Sequence, residues 1–291
     1  MESFSVRLLI AIWWVLSTTT IANALDVAQA GPSSDPSASE TSEPPAAGAA
    51  PTCSPDVTLA KGLRYGVEDP NVLDVASPST DIDRKRPVVV FFTGGVDRDP
   101  AATSIVPEAM CFAAQHGLVA FRVQFRDPTD PNSSKGEKDV ADALSWVSEN
   151  ADLFVGNIHE IIPIGFGAGA SHVLRLALHE GYQVHGDAIA GVVLISGVFG
   201  KGRAASDLKK VDLMEIDVPI ILAWSTSDDA DLKTRNEDLK KCMCDAGHCP
   251  RSVVLATPSN PGSGFDLDGA SPDLHDRVRQ LIAQLDARGL P

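Results

Sequence analysis

The stretch from Ile161 to His172 constrains the fold of this 291-residue chain more than any other. It reads Ile-Ile-Pro-Ile-Gly-Phe-Gly-Ala-Gly-Ala-Ser-His, an apolar run that ends in Gly165, Gly167 and Gly169. An Ala- and Leu-rich segment with helical spacing follows, through Val173, Leu174, Leu176, Ala177 and Leu178. A short β-type run, closely spaced glycines and a helical period together predict a strand, a very tight turn and a helix. Glycine removes the Cβ atoms that would hold strand and helix apart.

The same alternation runs along the chain from Asp56. Strands are expected at Thr58–Arg64, Val72–Ala76, Pro87–Phe92, Leu118–Phe125, Glu160–Gly165, Gly191–Ser196, Pro219–Trp224 and Ser252–Thr257. Helices are expected near Ser104–His116, over Lys135–Asn150, after the glycine turn to about Glu180, and at Asp231–Ala246 and Asp273–Ala287. Strands alternating with helices imply a mostly parallel sheet covered on both faces. The continuous apolar run Val88-Val89-Val90-Phe91-Phe92 fits a strand buried on both sides. The stretch between the strands ending at Ser196 and starting at Pro219 is too short for a large cap domain.

The formal charge of −15 and a pI near 4.7 exclude nucleic acid and anionic membrane surfaces, which select basic patches. Residues 1–24 read as a signal peptide. Arg7 supplies the positive end, Leu8–Leu16 the apolar stretch and Ala22-Asn23-Ala24 the small-residue cleavage site. The apolar stretch is far short of the ~20 residues that span a bilayer, so cleavage and export to the extracellular medium or periplasm are expected, with no membrane attachment afterwards. Residues 25–52, rich in Ala, Pro, Ser and Glu, bury too little apolar surface to offset their ordering entropy and read as a disordered linker. Residues 53–291 then form a single domain.

Five cysteines in an exported chain predict disulfides with one thiol left over. Cys111 sits in an apolar helical pattern and reads as a free, buried thiol; two disulfides are expected among Cys53, Cys242, Cys244 and Cys249, with Cys242 and Cys244 not bonded to each other. The alternative, a metal site formed by this cluster with His248, fits no common zinc spacing. No metal and no cofactor are expected.

The order of elements resembles the carboxylesterase-like α/β-hydrolases, in particular the small secreted esterases and feruloyl-esterase-like members. The resemblance covers Leu63–Leu285 and rests on several stretches besides the glycine turn. These are Arg64-Tyr65-Gly66 with Val72-Leu73-Asp74-Val75, the turn Thr93-Gly94-Gly95, and Asp139-Val140-Ala141-Asp142-Ala143-Leu144. It implies an α/β-hydrolase fold with a sheet of about eight strands. It also implies that the glycine turn corresponds to the nucleophile elbow G-x-S-x-G.

At the positions where such enzymes carry their chemistry, the resemblance implies a damaged triad. Gly167 stands where the nucleophilic serine belongs, and Ser263 where Gly262-Ser263-Gly264-Phe265 replaces a histidine-bearing turn. Asp228, in Trp224-Ser225-Thr226-Ser227-Asp228, holds the acid position, with Asp229 as the near alternative. Either aspartate also suits a turn or a helix cap. Gly94, Gly95 and Ala168 would supply backbone donors for an anion or oxyanion. Ser171 reads as a helical serine packed beside the sheet. His116, His159, His172, His179, His185, His248 and His275 read as surface or turn residues.

The expectation is therefore an exported esterase-like protein that has lost Ser-His-Asp catalysis and keeps at most a pocket for a small acyl, ester or carboxylate ligand. The alternative is an active carboxylic-ester hydrolase that uses Ser171 or a water activated by Asp228.

Overall fold

A computed structural model describes residues 53–94, 105–127, 129–178, 189–200, 218–226 and 228–255. The expected signal peptide and linker, the closing helix, Gly95, Ser263, His179, His185 and His275 lie outside the described residues. Eight strands form one sheet: β1 (Val57–Arg64), β2 (Val72–Pro78), β3 (Arg86–Gly94), β4 (Val119–Gln124), β5 (Gly156–Gly167), β6 (Val192–Ile195), β7 (Ile220–Ser225) and β8 (Arg251–Leu255). Among the described residues, four α-helices lie between strands: α1 (Ile105–Gln115), α2 (Ser134–Asn150), α3 (Ala168–Leu178) and α4 (Ala230–Asp245). The strand order is β1-β2-β4-β3-β5-β6-β7-β8, antiparallel at β1/β2 and β2/β4 and parallel from β4 to β8. The mostly parallel sheet, its strand count and the positions of these four helices agree with the sequence reading.

Side-chain alternation divides the core between the two faces of the sheet. Val88, Val90 and Phe92 of β3 and Phe121 and Val123 of β4 face α2, α3 and α4 through Val140, Leu144, Val147, Val173, Leu174, Leu239 and Met243. Val89 and Phe91, with Ile162, Ile164 and Phe166 of β5, face α1 through Val106, Ala109, Met110 and Ala113. Parallel strands buried on both faces need apolar residues at consecutive positions, so β3 and β5 read as unbroken apolar runs.

The cysteine expectation needs correction. Two disulfides are present, but Cys53 is bonded to Cys111, and Cys244 to Cys249, and Cys242 belongs to neither. α1 packs against β1, which Cys53 precedes, and the Cα of Cys111 is 5.1 Å from that of Cys53. Gly247, with φ +90, reverses the chain after α4 and brings Cys249 back to Cys244.

Candidate functional site

The turn at Gly167 is as tight as its glycines imply. β5 ends at Gly167 and α3 begins at Ala168, with no residue between them. A Cβ at Gly165 would lie 2.5 Å from the Cα of Ala170 and 2.8 Å from the carbonyl oxygen of Gly169. Only glycine permits that approach of helix to strand. Gly167 has φ +55, in the left-handed region, where a side chain costs ~1–3 kcal/mol.

The sheet brings a second candidate beside it. Gly94, the last residue of β3, is in register with Gly167. From these neighbouring parallel strands the chain departs in opposite directions, β3 towards β4 and β5 towards β6. Such a divergence opens a crevice at the carboxyl ends of the strands, the usual ligand position in open α/β sheets. Ala168, 2 % exposed, opens α3, so its N–H is among those left without an intrahelical partner.

The segment after β6 is bonded to this turn. Val198 N–H donates to the carbonyl of Gly167 at 3.1 Å. Ser171, 4 % exposed, donates its hydroxyl to the carbonyl of Val198 at 2.8 Å. It thus ties α3 to this segment, the packed helical serine the sequence suggested.

The structure separates the two acid candidates. Asp229 caps α4, accepting from Leu232 N–H at 2.7 Å. Asp228 is buried in the turn after β7, and its Oδ2 accepts from the Ser196 hydroxyl at 2.6 Å and from Ser225 N–H at 2.9 Å. Ser196 itself is buried at the end of β6 with φ +45, strain of the kind that persists where surroundings over-determine a conformation. Asn236 of α4, fully buried, clamps the next residue: its Oδ1 accepts from Gly197 N–H at 3.2 Å and its Nδ2 donates to the Gly197 carbonyl at 3.1 Å. The sequence offered little warning of Ser196 and Asn236 beyond a serine directly after an apolar strand and an asparagine inside a helix.

His172 overturns its reading as a surface histidine. It is fully buried, edge-on to Phe125. Arg175 Nη2 donates to its Nδ1 at 3.1 Å, which leaves Nε2 to donate to the Asp130 carbonyl, also at 3.1 Å. Burial, and then the nearby Arg175 charge, hold its pKa below the ordinary 6.5. Arg175 also bonds the Pro131 carbonyl and Glu137 Oε2, so α3 fastens the loop between β4 and α2. At the root of that loop Arg126 forks onto Asp139 with bonds of 2.9 and 2.8 Å. Burial pushes the Asp139 carboxyl up, but the side-chain and backbone hydrogen bonds from Arg126 outweigh it and hold the pKa below 3.8.

Among the described residues no group of three or more His, Cys, Asp or Glu side chains is placed to hold a metal ion. No helix among them is long and apolar enough to cross a membrane. Gly94, Gly167, Ala168 and Asp228 lie at the carboxyl ends of β3, β5 and β7.

Residues 22–216 match the family model described as the Carboxylesterase family. The chain is 32 % identical over 151 residues to human Carboxylesterase 3, covering 45 % of this chain and 26 % of that protein. It is 31 % identical over 127 residues to human Carboxylesterase 5A, covering 40 % and 22 %. The chain thus spans about a quarter of the length of these curated relatives. Among solved structures, the bacterial brefeldin A esterase, a homologue of human hormone sensitive lipase, superimposes with a TM-score of 0.57 at 19 % identity, over 82 % of this chain and 79 % of that one. Esterase B from Lactobacillus rhamnosis gives a TM-score of 0.60 at 14 % identity, over 82 % and 91 %. At these identities the structural likeness establishes the α/β-hydrolase fold.

Proposed function

The chain belongs to the carboxylesterase family, and we propose that it is an exported member that has lost Ser-His-Asp catalysis and acts as a binding protein. One observation carries the reading. Gly167 occupies the turn in the positive-φ geometry that thrusts an elbow residue out at the top of the sheet, and it has no side chain to attack with. Covalent acyl transfer needs a nucleophile activated by a base, and Ser263 would leave the base position empty as well. Ser171 makes a poor substitute, since its proton is engaged with the Val198 carbonyl.

What this reading retains is the polar backbone of the crevice. The N–H groups of Gly94, Gly95 and Ala168 would receive the oxygen of a small acyl, ester or carboxylate ligand, with Asp228 on the far wall. Two disulfides accord with an oxidising compartment and so with the signal peptide read at residues 1–24.

The test uses a fluorophosphonate probe, which reacts with activated serines, beside initial rates with p-nitrophenyl acetate. The purified protein should neither label nor turn over ester above the buffer rate. Stoichiometric labelling of Ser171 or any other serine would overturn the proposal and make the chain an active hydrolase. Binding is read separately as a rise in melting temperature with short-chain carboxylates, since a ligand that binds only the folded state stabilises it.

A further inference from the structure

We propose that Asn132 carries an N-linked glycan. The proposal rests on the export reading above. Asn132-Ser133-Ser134 is the chain's one Asn-x-Ser/Thr sequence, and its presentation in the fold, more than its presence, carries the inference.

Its three residues point in useful directions. Asn132 is exposed in the loop between β4 and α2; its backbone N–H is satisfied by Asp130 Oδ1 at 2.9 Å, and its side-chain amide makes no hydrogen bond to any described residue. Ser133 turns inward. It is buried, caps α2 by accepting from Gly136 N–H at 3.1 Å, and donates to Asp127 Oδ2 at 2.8 Å. Ser134, the hydroxyl residue that glycosylation requires, is exposed on the first turn of α2 with no partner among the described residues. The acceptor amide and the required hydroxyl both face solvent, while the intervening residue anchors them.

The loop can accept a bulky group without losing contacts. What holds it is inside: the Asp130 carbonyl to His172, the Pro131 carbonyl to Arg175, and Ser133 to Asp127. None of these uses the Asn132 side chain. β4 is parallel to β3 and β5, so this loop leaves the sheet at the same end as Gly94 and Gly167. A glycan there stands beside the crevice without entering the core.

The donor is a polyprenyl-pyrophosphate-linked oligosaccharide, supplied with its transferase by a secretory pathway. The Asn132 amide nitrogen forms a bond to the anomeric carbon, the bond from that carbon to phosphate oxygen breaks, and the lipid pyrophosphate leaves. The amide proton passes to a base of the transferase.

The full chain is expressed in insect cells and collected from the medium. Amidase release of N-glycans in heavy-oxygen water should convert Asn132 to labelled Asp and shift the intact mass. Asn132→Gln and Ser134→Ala should each abolish the shift, and Ser134→Thr should keep it. Because Ser133 is the cap, none of the three should change the unfolding midpoint. Secreted protein with unmodified Asn132, or a mass shift that survives Asn132→Gln, would overturn the proposal. Protein retained in the cell with residues 1–24 intact would overturn the export reading, and this proposal with it.

Discussion

Glycine at position 167 has two separable effects: it offers no side chain, and it adopts φ +55 at little cost. The second can be measured without any substrate. Gly167→Ser should lower stability by ~1–3 kcal/mol, because it puts a side chain at φ +55, and the urea midpoint reads that loss directly. The chemical effect needs a second change. Gly167→Ser with Ser263→His should gain slow turnover of p-nitrophenyl acetate, while each single variant stays at the wild-type rate, because members of a triad act as a unit. Wild type matching the double variant would make the chain a hydrolase by another route. A folded but inert double variant would remove Ser263 from the histidine position. The residues that hold Asp228 were the hardest to read from sequence. Ser196 lies 32 positions away along the chain, and no local pattern announces a hydrogen bond of that span.

At the scale of elements, the contact between α3 and the loop after β4 depends on pH. His172 has a folded pKa below 6.5, so under mild acid the unfolded chain takes up a proton that the fold refuses. Stability is therefore full above about pH 6.5 and falls as the pH drops from there towards the folded value. Asp139, held below 3.8, adds a second loss as the pH falls below that value and through its folded pKa. Melting temperature should be level from pH 8 to about 6.5 and decline below it. His172→Gln should lower the plateau but flatten the first decline; an unchanged slope in that variant would remove His172 as its source. The helices and strands themselves were legible because their apolar periods differ. The burial of His172 was not, since its carbonyl partner lies 42 residues earlier in the chain.

At the scale of the whole molecule, the disulfides differ in what they constrain. Cys53–Cys111 spans 58 residues of sequence and ties the segment before the first strand to α1, whereas Cys244–Cys249 spans 5. Loop-closure entropy predicts that replacing the first pair with alanine costs about 4 kcal/mol and the second about 2 kcal/mol. Comparable losses, or Cys111 found as a free thiol by non-reducing peptide mapping, would contradict the connectivity. Periodicity placed Cys111 correctly on a buried helix face, yet it treats cysteine as one more small hydrophobe. That the chain's entry point lies beside that face is a property of the fold, not of the local pattern. The mostly parallel sheet followed from the alternation of elements, whereas the strand order did not, since alternation leaves open on which side of β3 each later strand is placed.

The bond from Val198 N–H to the carbonyl of Gly167 reaches beyond packing. That carbonyl shares a planar trans peptide with the N–H of Ala168, so the two point in opposite directions. Fastening one orients the other, away from the segment after β6. The latch is made entirely of main chain and is indifferent to which side chain position 167 carries. A Gly167→Ser variant and the present chain would hold the same amide in the same attitude. A substitution at position 167 would therefore leave the direction of that dipole unchanged.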